Sequence, residues 1–450
     1  VGPDRAGRPV APPNPAKILV YGFASVIAVG TLLLMLPVAT AAGRQTDLLT
    51  AFFTSTSAVC VTGLIVVDTG QHWSAFGQGV ILGLIQVGGL GIMSMSTVIA
   101  LILGRKVTLR ERLLIRESTG QLTMEGMVRL VRLVIITTLL FEVSGAVLLT
   151  ARWAQDYSLA EATWLGIFHS VSAFNNAGFS LFSESLKHYA EDPTVNIVVI
   201  TLLLAGGVGF AVLAEIYRWM FRAERRFSLH AKIVLSVSGA LLLIGAILIF
   251  FMELTNPDTL GGLSGPGKML ASIFTSATPR TAGFNTIPTG SLRHNTLFFI
   301  VLFMFIGGSS GSTAGGIKTT TFFSIAAAVR STIRNREDAE MFRRRLASDI
   351  VYQALSIVVL AALVVFLVTL ILLITERADL VDCLFEAMSA FGTVGLSMGL
   401  TPDLSRIGRV VVIFTMFTGR LGPLTLALAL GQDSKRRGNY RHPREDIMIG

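Results

Sequence analysis

The sequence predicts an all-α polytopic membrane protein made of four consecutive repeats. Each repeat is a helix, a short re-entrant helix and a second helix, giving eight transmembrane spans and four re-entrant loops around one pseudo-fourfold axis. Three observations predict this. Of 450 residues, 52% are hydrophobic and 14% charged, where a soluble chain carries roughly 25% charged residues. Long apolar stretches alternate with apolar stretches too short to span, and one short motif recurs four times. A disordered chain, a secreted disulfide scaffold and a water-soluble enzyme are thereby excluded. Cys60 and Cys383 lie inside apolar stretches and act as small hydrophobes.

The recurring motif reads SAVCVTGL at 57–64, SAFNNAGF at 172–179, SATPRTAGF at 276–284 and SAFGTVGL at 389–396. Aligned on Gly63, Gly178, Gly283 and Gly395, it recurs at intervals of 115, 105 and 112 residues, so the repeat fills the chain. Residues 1–16 are polar and proline-rich, are expected in the cytoplasm, and do not resemble a cleaved signal. The absence of Met at position 1 leads us to expect the true N-terminus upstream. Repeat 1 covers 17–104. Its first span, 18–36, has about the 20 apolar residues needed to cross the hydrocarbon core; 48–57 is too short, and 76–103 is long enough again. Repeat 2 with its preceding cytoplasmic loop covers 105–220, with spans 128–151 and 195–220. Repeat 3 covers 221–335, with spans 233–252 and 296–324, the latter broken by glycine and serine. Repeat 4 with its preceding loop covers 336–431, with spans 350–375 and 408–430. Residues 432–450 form a cytoplasmic tail.

A formal net charge of +9 raises the question of nucleic acid, and the location of the charges answers it. Arg105, Lys106, Arg110, Arg112 and Arg116 form one cluster; Arg218, Arg222, Arg225, Arg226 and Lys232 a second; Arg330, Arg334, Arg336, Arg343, Arg344 and Arg345 a third. Lys435, Arg436, Arg437, Arg441 and Arg444 end the chain. Every cluster follows a second span, which puts both termini inside and the re-entrant segments at the outer face of a cell inner (plasma) membrane. No aromatic residues interleave the clusters, so nucleic acid is not an expected partner.

Irregular backbone at membrane depth is tolerated only when buried in protein or lining water. Four such loops around an axis would do the second, turning their carbonyls inward as ligands for a dehydrated cation and making each short helix a pore helix. A glycine in each loop permits that geometry. The helix C-termini, pointing at the centre, favour a cation over an anion. The alternative is four tight turns that never meet.

These residues resemble the superfamily of potassium transporters that includes Trk, Ktr and the plant high-affinity transporters, and the resemblance covers about residues 17–432. Among its branches the chain is most similar to the membrane subunits of the bacterial sodium-dependent Ktr uptake systems: the first repeat begins by Ile18, without room for the two extra N-terminal spans usual in Trk, and Gly63 stands where the plant branch often has serine. The resemblance implies potassium uptake and no enzymatic activity. It implies filter carbonyls around Val61, Thr62 and Gly63; Asn176, Ala177 and Gly178; Thr281, Ala282 and Gly283; and Thr393, Val394 and Gly395. One glycine per loop, against two in a potassium channel's TVGYG, implies fewer ordered ion sites and weaker selectivity. K+ is implied as the transported ion and Na+ as an activator.

GGSSGSTAGGIKTT at 307–320 is not a phosphate loop, because Ile317 separates Gly316 from Lys318 in a helical apolar run. It is either a small-residue packing stripe or, as the resemblance implies, a broken helix whose loop gates the cavity below the filter. The gate set is then Gly307, Gly308, Ser309, Ser310, Gly311, Ser312, Thr313, Ala314, Gly315, Gly316 and Lys318, with Arg420 beneath the filter. An arginine inside a span is by default functional, although a structural contact to loop carbonyls is compatible with that. Lys318 is also compatible with simply ending a helix. Glu142 and Glu215 are expected to pair between helices rather than hold ions, His169 to pack a pore helix, and the glycines at 88, 89, 91, 206, 207 and 209 to serve close packing.

No nucleotide-binding βαβ pattern is present. The resemblance therefore assigns regulation to a separate ring of KtrA-like cytosolic RCK subunits binding ATP or ADP, and implies a homodimer in the lipid bilayer. The competing class is a Trk-like proton-coupled or alternating-access cation transporter, for which broken helices in both halves would speak.

Overall fold

The computed structural model describes residues 15–91, 127–221, 226–336, 338–342, 344–423 and 425. The first and last basic clusters, Arg222, Arg225, Arg343 and the ends of the spans expected at 76–103 and 408–430 lie outside these residues.

Repeat 1 consists of α1 (Pro15–Leu34), α2 (Leu48–Val59) and α3 (Ala75–Leu90). Repeat 2 has α4 (Met127–Trp153), α5 (Leu159–Phe174), α6 (Pro193–Val208) and α7 (Phe210–Phe221). Repeat 3 has α8 (Leu229–Glu253), α9 (Gly265–Ala277), α10 (His294–Phe305) and α11 (Thr319–Ile333). After a two-residue hairpin, Glu340–Met341 with Arg344–Arg345, repeat 4 has α12 (Ser348–Thr375), α13 (Leu380–Gly392) and α14 (Arg406–Leu421).

The first helix of each repeat is long and apolar enough to cross a membrane, with helical segments of 19, 22, 25 and 28 residues. Their outer faces expose leucine, isoleucine and phenylalanine, such as Leu140, Leu243 and Phe366, as a lipid-facing surface must. The inner faces admit the short helices closely. Gly30, Gly145 and Gly245 leave room for Ser55, Ser170 and Ser276. Those hydroxyls donate to the carbonyls of Ile27, Glu142 and Leu242 at 2.8, 2.7 and 2.8 Å. Side-chain caps start three of the four short helices: Asp47 accepts from Leu49, Ser158 from Glu161 and Ser264 from Gly267.

Among the described residues the second spans of repeats 2 and 3 are interrupted, where the sequence led us to expect a break in the third alone. α3, α6 and α14 end at Gly91, Gly209 and Gly422 with φ of 78°, 99° and 85°. At Gly209 the chain turns by 108° into α7. The sequences are GGLG, GGVG and GRLG, so Arg420 occupies the place of the second glycine in repeats 1 and 2. The first glycine serves the expected close packing: a Cβ on Gly88, Gly206 or Gly419 would strike the carbonyl of Val59, Phe174 or Phe391 at the end of a short helix. The last glycine supplies the left-handed residue that ends the helix.

Candidate functional site

Each of the four loops leaves its short helix through a left-handed residue. Val61, Asn176, Thr281 and Thr393 have φ of 56°, 57°, 68° and 50°, and two residues later Gly63, Gly178, Gly283 and Gly395 have φ of 89°, 70°, 75° and 90°. The residue between has negative φ in all four. Reversing φ at each step lets successive carbonyls share one side, whereas a uniform strand alternates them. Positive φ at valine or threonine is rare and strained, which marks a constrained site.

The loop N–H groups turn back onto the short helices. Thr62, Ala177, Ala282 and Val394 donate to the carbonyls of Ser57, Ser172, Thr278 and Ser389 at 2.8 to 2.9 Å, and Gly63 and Gly395 donate to the hydroxyls of Ser57 and Ser389 at 3.1 Å. The carbonyls of Thr62, Ala177, Ala282 and Val394 accept no hydrogen bond among the described residues.

The four loops meet. A Cβ on Gly63 would run into the carbonyl oxygen of Ala177, one on Gly178 would lie 3.0 Å from that of Ala282, one on Gly283 2.7 Å from that of Val394, and one on Gly395 would run into that of Thr62. Each glycine thus faces the residue preceding the next repeat's glycine, and the fourth returns to the first. Four independent turns would not close such a ring. All twelve residues named from the sequence at these loops are brought together.

The loop of residues 306–318 closes on itself, with Gly307 donating to Ile317 at 2.9 Å and Thr319 to Gly308 at 3.1 Å. It is stitched to the break in repeat 2: Ser309 and Thr313 donate to the carbonyls of Gly207 and Gly206 at 3.0 and 3.2 Å, and Phe210 to that of Gly311 at 3.1 Å. The Thr313 hydroxyl lies 3.1 Å from the Asn176 amide, and Gly315 sits against the Thr393 side chain. Both contacted residues are left-handed members of the ring loops, so the loop lies directly at the ring's foot. Arg420 donates to the carbonyls of Thr313 and Gly88, joining α14, this loop and α3. Lys318 stands just before α11, where it starts a helix rather than ending one, and its ammonium donates to the Ala314 carbonyl at 2.7 Å.

Glu142 is buried and accepts from Gln86 at 3.3 Å and Asn175 at 3.0 Å, so it pairs between helices through neutral amides. Glu215 accepts from the Ser228 N–H at 2.8 Å, at the start of α8. His169 is buried, bound to the Leu165 carbonyl and Ser180 hydroxyl, and packed on Trp153 and Phe182. Among the described residues no three His, Cys, Asp or Glu side chains group as a metal site. What the ring offers a cation is backbone oxygen. The left-handed conformation of Val61, Asn176, Thr281 and Thr393 and the burial of Arg280 escaped the sequence reading; only the one-residue lengthening of the third motif hinted at the latter.

The family model described as cation transport protein TrkH matches residues 3–436. The chain belongs to the TrkH family of cation transport proteins. It is therefore a membrane transport protein and not an enzyme. It is 42% identical to the Ktr system potassium uptake protein B of Bacillus subtilis (strain 168), over 97% of each chain. It is 37% identical to the protein of that name from Vibrio alginolyticus, over 96% of this chain and 94% of that one. The potassium/sodium uptake protein NtpJ of Enterococcus hirae is 36% identical over 97% of each. The crystal structure of the potassium transporter TrkH from Vibrio parahaemolyticus matches with a TM-score of 0.73 at 19% identity, covering 95% of this chain and 87% of that one, so this TrkH-family chain shares its fold.

Proposed function

We propose that this chain is the potassium-translocating membrane subunit of a Ktr-type uptake system in a cell's plasma membrane, with both termini in the cytoplasm. The observation that carries the reading is the closed ring of four loops whose carbonyls, at Thr62, Ala177, Ala282 and Val394, accept no hydrogen bond among the described residues. Buried carbonyls left without partners are costly unless an ion or water satisfies them. Ringed carbonyls replace the hydration shell of a monovalent cation, and the relatives named for potassium uptake support K+ as that cation. The loop 306–318 acts as the gate and Arg420 as its latch, a fixed positive charge that also opposes ion passage. Na+ acts as an activator, consistent with one relative named for potassium and sodium. The chain works as a homodimer under a ring of KtrA-like RCK subunits that bind ATP or ADP.

The breaks in the second spans of repeats 2 and 3, one in each half of the chain, favour a second reading, a proton-coupled or alternating-access cation transporter, because such folds use broken helices in both halves. Flux in proteoliposomes with potassium, sodium and pH varied independently separates the two. Uptake that follows the potassium gradient at every pH supports the pore; uptake driven by a proton gradient at zero potassium gradient overturns it.

A further inference from the structure

Three residues before its glycine, each ring loop carries a residue at the end of its short helix: Cys60, Asn175, Arg280 and Gly392. Arg280 is the charged member, and its side chain is buried at 6% exposure. Its guanidinium reaches Ser238 on α8, donating to the hydroxyl at 2.8 Å and the carbonyl at 3.4 Å, while Nε has no partner among the described residues. No carboxylate pairs with it among those residues. Its own N–H donates to the Ala277 carbonyl at 3.2 Å, at the C-terminal end of α9. A guanidinium does not give up its proton inside a protein. The negative pole of this short helix is therefore offset by a charge carried on its own loop.

We propose that Arg280 sets the affinity of the ring for its cation, as a fixed positive charge behind the third quadrant that weakens ion occupancy. It is a positioning residue, acting through the field and not by contact with the ion. A simple strut to Ser238 would not need a charge, and burying an unpaired one is expensive. The chain length between Arg280 and Gly283 holds the Arg280 backbone within roughly 10 Å of the ring, and its charge within a side chain's length of that. At that distance and an effective dielectric of about 20, one charge changes the occupancy of a monovalent ion on the order of tenfold.

The proposal rests on the transport reading above, and the test separates the two. Rubidium uptake into proteoliposomes is measured against external concentration for the full chain and for Arg280→Gln, Arg280→Lys and Ser238→Asp. Gln removes the charge and keeps a donor; Lys keeps the charge and loses the fork; Asp neutralises the arginine where it stands. The expected result is a half-saturating concentration lower by about tenfold for Gln and for Asp, with Lys within about twofold of wild type. Equal shifts for Gln and Lys, or none for a folded Gln variant, overturn the proposal and leave Arg280 a strut. If Gln does not fold, Asp decides, and failure of both to fold also assigns a strut. Absence of saturable flux from the wild type overturns the transport reading itself.

Discussion

At the residue scale, the ring depends on backbone conformations that side chains resist. Gly63 has φ of 89° and no space for a Cβ, because the Ala177 carbonyl occupies it. Serine there would have to widen the ring at the boundary of repeats 1 and 2, at a strain of about 1 to 3 kcal/mol. We expect Gly63→Ser to lower potassium-over-sodium discrimination in uptake competition and to lower the midpoint of thermal unfolding. Unchanged discrimination in a folded variant would take Gly63 out of the ion path. The four glycines were legible in the sequence because glycine advertises positive φ. The left-handed backbone of Val61, Thr281 and Thr393 was not, since β-branched residues are the last expected in that region. Arg280 escaped for another reason: one arginine near a loop says nothing of its burial until α8 is packed behind it.

At the scale of elements, the long first spans and short helices could be read directly, since about 20 apolar residues span and a dozen do not. The break in the second span of repeat 2 could not. In repeat 3 the break is spelled out by a run of glycine and serine, whereas α3, α6 and α14 each end at one left-handed glycine that the sequence does not set apart from the packing glycine before it. Loop 306–318 is held by three backbone hydrogen bonds to the break of repeat 2 and by Arg420 from repeat 4. A two-state gate loses its closed form when such contacts are removed. Shortening the loop between Ser309 and Gly315 should therefore raise unregulated rubidium flux. Arg420→Ala should move it the same way by releasing the Thr313 and Gly88 carbonyls and withdrawing a charge from the path. Folded variants that both conduct less than wild type would make the loop a structural or coupling element.

At the scale of the whole molecule, the basic clusters admit two readings: a record of topology, or a docking surface for an acidic regulatory ring. The third cluster is internally divided. Arg336 pairs with Glu340 and Arg345 with Asp338, each at 2.7 Å, across and beside the hairpin, while Arg330 and Arg334 are exposed on the last turns of α11. α11 begins at Thr319, directly after the loop of residues 306–318 that we propose as the gate. A partner that gripped Arg330 and Arg334 would therefore hold the far end of the helix whose near end sets the gate, and a change in that grip becomes a differential affinity for open and closed forms. Topology alone needs only positive charge inside and is indifferent to which arginines supply it. We expect the chain alone to be poorly controlled, and flux with an RCK partner to differ between ATP and ADP. Arg330→Glu with Arg334→Glu should abolish that difference and weaken partner binding, most at low salt, where a Debye length of about 10 Å at 0.1 M lengthens, while the variant's insertion and basal flux stay unchanged. Equal flux with ATP and ADP from wild type shown to bind the partner would defeat nucleotide control, and an undiminished difference in the double variant would return these arginines to topology alone.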